Sequence, residues 1–420
     1  MKIGKWKYSS LKNFVWQLDL ASMKKKKLLN VFKPLPNVFA AFPLLWRGAP
    51  KLVRFGNGFR IGLLSLFTFH LSPTSAQPLS AYVNQDGRFF VFDNFEVDQA
   101  DYLQPIAYKI GRTCIPFIAN TKNFRVYYNG KVNELNDGFT SDCYVSNDLM
   151  YFKNNATLYV FDNGKITKLA DYNSSFAFGD SLIGYTDDRA YTYNIYYSGK
   201  VTELAQNSLE NPMKMTAAGS NIFAFVDQYD QFRIFYHGEI IEQEDRKPQM
   251  IQAGKDLVIY RDNYGDLKIF YSGETYDMGQ AASSSLKVSF WAGNEMAAFI
   301  DTDGELKIFY KGKLIETGVR NPQFIKMKDN MLVYDDRAGG FSVFYNGVET
   351  HLENFIPVKI ELSQSSMYYF TQSNEIRFYT FGKMVELPIQ TYDDIHLDYD
   401  VLQVKTGFNQ FSFYYQDKKL

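Results

Sequence analysis

From about residue 80 to the C terminus, short apolar or alternating runs are separated by Asn, Asp, Ser and Gly, the residues that supply tight turns. The stretch ending near residue 243 displays the pattern most clearly. It predicts four strands, Met213 to Ala217, Ile222 to Val226, Phe232 to Tyr236 and Glu239 to Glu242, with Gly219-Ser-Asn, Asp227-Gln-Tyr-Asp and His237-Gly238 as the turns. Side chains alternate across a strand, so Phe232, Ile234 and Tyr236 share one face and Phe235 lies on the other. Apolar residues on both faces require a sheet covered on both sides. No helical period accompanies these runs.

The unit recurs. Its marker is a strand ending in two aromatics and followed by a Gly turn, as in Tyr127-Tyr-Asn-Gly130, Phe235-Tyr-His-Gly238 and Phe309-Tyr-Lys-Gly312. Markers fall at 95, 130, 164, 199, 238, 273, 312, 347, 382 and 417, with Phe95 and Asp417 in place of Gly at the two ends. Ten units spaced by 34 to 39 residues therefore tile the chain without a gap. The residue three before the marker is aromatic in all ten units, from Phe92 to Tyr414. The next residue is Tyr in seven: Tyr128, Tyr197, Tyr236, Tyr271, Tyr310, Tyr345 and Tyr415. Two units carry four extra residues, one between Gly199 and Gly238 and one between Gly273 and Gly312.

This pattern resembles a β-propeller, in which four-stranded blades stand radially about a central channel. The resemblance covers residues 80–420 and is to the architecture. Trp-Asp repeats and sialidase-type Asp boxes are absent, and Kelch-like double glycines occur once, at Gly339-Gly340, so no particular repeat family is indicated. The resemblance implies an all-β fold of about ten four-stranded blades. The 35-residue step from Gly238 to Gly273 leaves no room for a linker, which favours a single ring of ten over two rings of five. The first unit begins at its second strand, around Ser80 to Asn84. Closure by strand exchange between the termini is thus not evident, and the ring is expected to be open or closed edge to edge.

Charge divides the chain in two. Residues 1–76 hold 13 basic residues and one acid, Asp19, leaving 32 basic and 45 acidic residues in 77–420, so the formal charge of -1 hides a net of -13 on the repeats. Within the basic segment, the apolar run Ile61 to Leu71 is followed by Ser72-Pro73 and Thr74-Ser75-Ala76, the order of an export signal and its cleavage site. The run is too short to span a bilayer as a helix, which takes about 20 residues. The expectation is export to the periplasm or cell surface with cleavage after Ala76, and translation starting at Met1 or at Met23. A basic arm lying on a membrane is the alternative for the same residues. The acidic repeats, 77–420, lack the basic footprint that nucleic acid requires.

Local motifs yield little chemistry once the repeat is recognised. Gly179-Asp-Ser-Leu182 with Asp393-Asp-Ile-His396 copies an esterase signature and would make Ser181 the nucleophile, His396 the base and Asp393 its orienting acid. Repeat alignment instead puts Ser181 in a turn and His396 six units away. Carboxylates recur eleven residues before the marker, at Asp188, Asp227, Asp262, Asp301 and Asp336, and read as turn caps. Asp301-Thr-Asp303 also resembles the start of a calcium loop, so weak calcium binding at Asp301 and Asp303 is the one metal reading, with no other cofactor expected. Cys114 and Cys143 form either a disulfide or two buried thiols. The seven tyrosines read first as packing between blades and second as a ligand-binding surface. Without a catalytic cluster, the expected function is a non-enzymatic interaction or scaffold module of the cell envelope, such as an accessory subunit of a secretion or uptake complex. The expected partners are an envelope or outer-membrane protein complex, or a glycan. A lectin-like propeller and a hydrolase with its site in the central channel are the alternatives.

Overall fold

The computed structural model describes residues 77–136, 142–206, 216–280, 289–389 and 391–420. The predicted export segment lies outside these residues, as do 207–215 and 281–288, within the two longer units. Every regular element among the described residues is a strand, and the strands form ten antiparallel sheets in chain order. Nine have four strands. The first has three, its innermost position being unfilled among the described residues, in line with a first unit that starts at its second strand.

In the unit used above, the strands are Thr216–Ala218, Ile222–Val226, Phe232–Tyr236 and Glu239–Glu244. The two middle strands match the expectation residue for residue. Tyr236 pairs with Glu239 across a two-residue turn in which His237 and Gly238 have φ of 49° and 93°. Hairpins of this kind need positive φ at both central positions, which is why Gly recurs at the marker. In eight blades a register shift breaks the pairing of the third and outer strands, as between Phe232 and Arg233. Bulges of this kind twist an exposed edge away from further pairing.

Ten apolar clusters hold the ring, one at each interface between neighbouring blades. The alternation read from the sequence decides which residue serves which interface. Phe235 packs with Leu182 and Ile195 of the fourth blade, whereas Phe232 and Ile234 pack with Val258 and Phe270 of the sixth. All ten aromatics three before the marker are buried. Burying each such side chain stabilises the fold by about 1.5–3 kcal/mol.

The tenth cluster joins first blade to last. Phe92 stacks on Phe413 with ring centroids 4.4 Å apart and planes 5° from parallel. Ser80 Oγ donates to Gln403 Oε1 at 3.0 Å, and the Gln85 N–H donates to Asn409 Oδ1 at 2.7 Å. Among the described residues no strand is exchanged, since Leu79–Val83 pairs only within the first sheet and Lys418–Lys419 only within the last. The ring is one closed circle of ten blades. It closes face to face rather than edge to edge, because both faces of each terminal sheet carry aromatics that need cover.

Antiparallel order gives the ring two unlike ends. Turns between inner and second strands, and the marker turns, lie at one end, here called the marker face. Turns between second and third strands, and the connections from blade to blade, lie at the opposite face.

Candidate functional site

At the marker end of the channel the innermost turns touch one another through backbone. The N–H groups of Asp148, Ser181, Lys255, Asn294 and Asn330 each donate to a carbonyl of the next blade, at 2.6 to 3.2 Å. Gly179, Gly219, Gly254 and Gly293 make this approach possible. A Cβ on Gly219 would lie 1.8 Å from the Gly254 carbonyl oxygen, and one on Gly179 would lie 1.7 Å from that of Gly219. Side chains repeat the linkage: Ser181 Oγ donates to Asp148 at 2.5 Å, and Asn330 Nδ2 donates to Ser365 Oγ at 2.9 Å.

Across the lumen, Arg112 of the second blade donates to Gln364 of the ninth at 3.1 Å, and Gln364 donates in turn to Asn147 of the third. These side chains plug the channel. Carboxylates crowd the plug. Burial raises the Asp180, Asp398 and Asp400 carboxyls, and burial together with the charges of Asp180 and Asp400 pushes Asp329 up to about 6. On the opposite-face side of the plug is a well of 470 Å³, walled by Phe178, Ala218, Ala253 and Ala292 and floored by the plug. On its marker side a funnel of 1160 Å³ opens.

The two ends of the ring differ in chemistry. Marker turns present polar tips, among them Asn129, Asn163, Ser198, Ser272 and Asn346, all exposed. Aromatics stand out at the opposite face: Tyr102 is 80% exposed, Tyr264 78%, Phe408 76% and Tyr229 73%. Tyr229 and Tyr264 are set by their own turns. Asp227 Oδ1 accepts from the N–H groups of Tyr229 and Gln231 at 2.8 and 3.0 Å, and Asp262 does the same for Tyr264 and Asp266. The second carboxylate oxygens pair with Arg233 at 2.9 Å and Lys268 at 3.1 Å. Each tip is thus braced at its base while its ring projects into solvent.

Residues 73–419 match the family of the 10-bladed beta propeller domain. The chain belongs to that family. No curated protein matches it. Solved structures similar to this ten-bladed propeller include a computationally designed protein, Ika8, at 13% identity over 66% of this chain and 96% of that one, with a TM-score of 0.33. AztD of Citrobacter koseri is 10% identical over 66% and 93% of the two chains, with a TM-score of 0.30. PorZ, an essential surface component of the type-IX secretion system of Porphyromonas gingivalis, is 8% identical over 82% and 59%, with a TM-score of 0.26.

Within the ten-bladed ring, the predicted site residues separate by role. Five of the seven tyrosines make the same contact: Tyr128, Tyr197, Tyr236, Tyr271 and Tyr310 each meet an aromatic of the next blade edge to face, at 5.3 to 5.8 Å and 76° to 85°. Tyr415 continues the series across the closure onto Phe95 at 6.4 Å, and Tyr345 packs in the cluster of blades eight and nine. Tyr128 and Tyr415 also line the funnel. Asp301 Oδ1 accepts from the N–H groups of Asp303 and Glu305, and its Oδ2 faces Lys307 Nζ at 3.3 Å. Burial opposes ionisation of Asp301, but those N–H donors and Lys307 hold its carboxyl below the ordinary range. Both its oxygens are engaged in the turn, and Asp303 is exposed beside it. In the fourth blade Asp187, one residue before the predicted Asp188, caps the turn by accepting from Arg189 and Ala190.

Cys114 and Cys143 are free thiols in one apolar cluster between the second and third blades. Burial pushes each up to about 12. Ser181 and His396 are not brought together. Ser181, in the fourth blade's turn, donates to Asp148 of the third blade, while His396 Nε2 lies 2.8 Å from Asp394 on the tenth. The exposed aromatics of the opposite face escaped the sequence reading. Their signal was an aromatic placed inside a turn, where no strand partner can cover it.

Proposed function

We propose that this ten-bladed propeller is a non-enzymatic interaction module of the cell envelope, docking a protein partner through its opposite face. The exposed aromatic tips carry the reading. Tyr combines a broad apolar face with a polar end and loses little entropy when fixed, so it is enriched at protein interfaces and their energetic centres. Here such side chains are held on braced hairpins at one end of a rigid ring. The composition supports the same reading: a net of -13 on residues 77–420 suits a basic patch on the partner. The basic segment 1–76 fits export with cleavage after Ala76, which would deliver the ring to the envelope. An accessory role in a secretion or uptake assembly is the finer form of the proposal.

The test is recovery of envelope partners with tagged protein, comparing the unaltered chain with a variant carrying Tyr229→Ala, Tyr264→Ala and Phe408→Ala. These side chains are mostly solvated, so the melting temperature should hold while recovery falls at least about tenfold, the effect of losing about 1.4 kcal/mol of binding. Unchanged recovery of the same partner would remove the opposite face as the docking surface. Mass measurement of the protein from envelopes tests the address: a chain beginning at Gln77 is expected, and one retaining residues 1–76 would contradict it.

A further inference from the structure

We propose that the funnel on the marker face binds a neutral oligosaccharide. Its 1160 Å³ exceeds the common range of ligand pockets, about 300–1,000 Å³, and its floor is sealed by the plug. Charge first narrows the ligand. Three carboxylates on the wall, Asp93, Asp148 and Asp180, are balanced by Arg112, Lys255 and Lys418, although the domain as a whole is strongly acidic. The amino group of a chain beginning at Gln77 would be the one charge left over on this wall, so an ionic ligand gains little.

Between these charges the wall consists largely of amides and hydroxyls, among them Asn94, Thr113, Asn129, Asn221 and Asn294. A side-chain amide presents donors and acceptors together, which matches sugar hydroxyls that act as both. Tyr128, half-buried against Phe161, offers ring surface for the C–H face of a pyranose. The innermost turns offer an extended peptide little backbone, because strand addition needs free N–H groups in a row; the inner edge of Leu79–Val83, open among the described residues, is the exception. Five of the innermost turn N–H groups, from Asp148 to Asn330, already donate to the neighbouring blade. Recognition at these turns is therefore left to side chains. This site lies at the end of the ring away from the proposed docking face, so either reading can fail alone.

The full chain is probed on an array of neutral and anionic oligosaccharides, and the strongest neutral binder is titrated by calorimetry. Asn94→Gly with Asn129→Gly removes two amides from the mouth but keeps the turns, since Gly readily adopts their φ of 50° and 55°. This pair is expected to weaken binding about tenfold, the loss of two ordinary hydrogen bonds. Tyr128→Ala should weaken it further, Tyr128→Phe should retain most of it, and Tyr229→Ala on the far face should leave it unchanged. The proposal is overturned if no neutral saccharide binds, if binding is confined to anionic glycans, or if the paired glycine variant binds as tightly as the unaltered protein.

Discussion

Replacing Gly219 with Ala tests how the centre of the ring is held. The added Cβ would lie 1.8 Å from the Gly254 carbonyl oxygen and 2.8 Å from Ile222 Cγ2. Carbon contacts become comfortable near 3.5 Å, so the fifth blade's turn would have to retreat by roughly 1.5 Å. That retreat loads a packed interface, at about 1–3 kcal/mol, and strains the bond from the Ser181 N–H to the Ser220 carbonyl, worth about 1 kcal/mol. Gly219 does not occupy the left-handed region, so Ala recovers about 0.4–1 kcal/mol by restricting the unfolded chain. The balance is a loss of about 1.5–3 kcal/mol. For a chain of this size it should appear as a fall of roughly 2–4 °C in Tm, read by calorimetry or circular dichroism. Gly273→Ala is the informative contrast. Its Cβ would meet open space, but its φ is 87°, so the penalty there is conformational and Gly273→Asn should recover much of it. Asn at 219 should be no better than Ala. Melting of Gly219→Ala within about 1 °C of the unaltered protein would refute turn-on-turn closure of the channel.

Three further outcomes follow from individual groups. Asp329 titrates at about 6 in the ring against an ordinary value of 3.8, so the folded chain holds a proton that the unfolded chain has lost between those values, and stability falls as pH rises through this window. Asp329→Asn, suited to a φ of 46°, should therefore stabilise the ring at pH 8 by about 1–2 kcal/mol after allowing for its partial exposure, seen as a raised Tm, and change it little below pH 4; an equal shift at both pH values would contradict this. Thiol titration should find neither Cys114 nor Cys143 reactive in the native protein at pH 8 and both reactive in denaturant, whereas no thiol in denaturant would mean that they are bonded. Tyr310→Ala should cost about 2–3 kcal/mol by calorimetry, through loss of its edge-to-face contact with Phe344, and Tyr310→Phe should be close to neutral; an alanine variant as stable as the parent would count against the ladder as packing.

The periodic features of this fold were legible because each repeats a local rule. The Gly marker reports positive φ in a hairpin, and the two-residue alternation assigns Phe235 and Ile234 to different interfaces. Both are properties of a few adjacent residues, multiplied ten times. The closure of the ring was not legible, because the stacking of Phe92 on Phe413 joins residues more than 300 positions apart and leaves no periodic trace. The plug was hidden for the same reason, with Arg112 and Gln364 meeting across the lumen. The tyrosine series shows the opposite limit. Recurrence drew notice to Tyr236 and Tyr310, yet recurrence is what packing produces. Tyr229 and Tyr264 recur only twice in the same turn position, and only the direction of those turns shows that their rings meet solvent.

A photo-crosslinking residue placed at 229 or 264, compared with one at 129, tests the account most directly. In intact envelopes, positions 229 and 264 should each capture the same discrete envelope protein while position 129 does not. Capture of that protein from position 129 alone, or from none of the three, would contradict docking through the aromatic face.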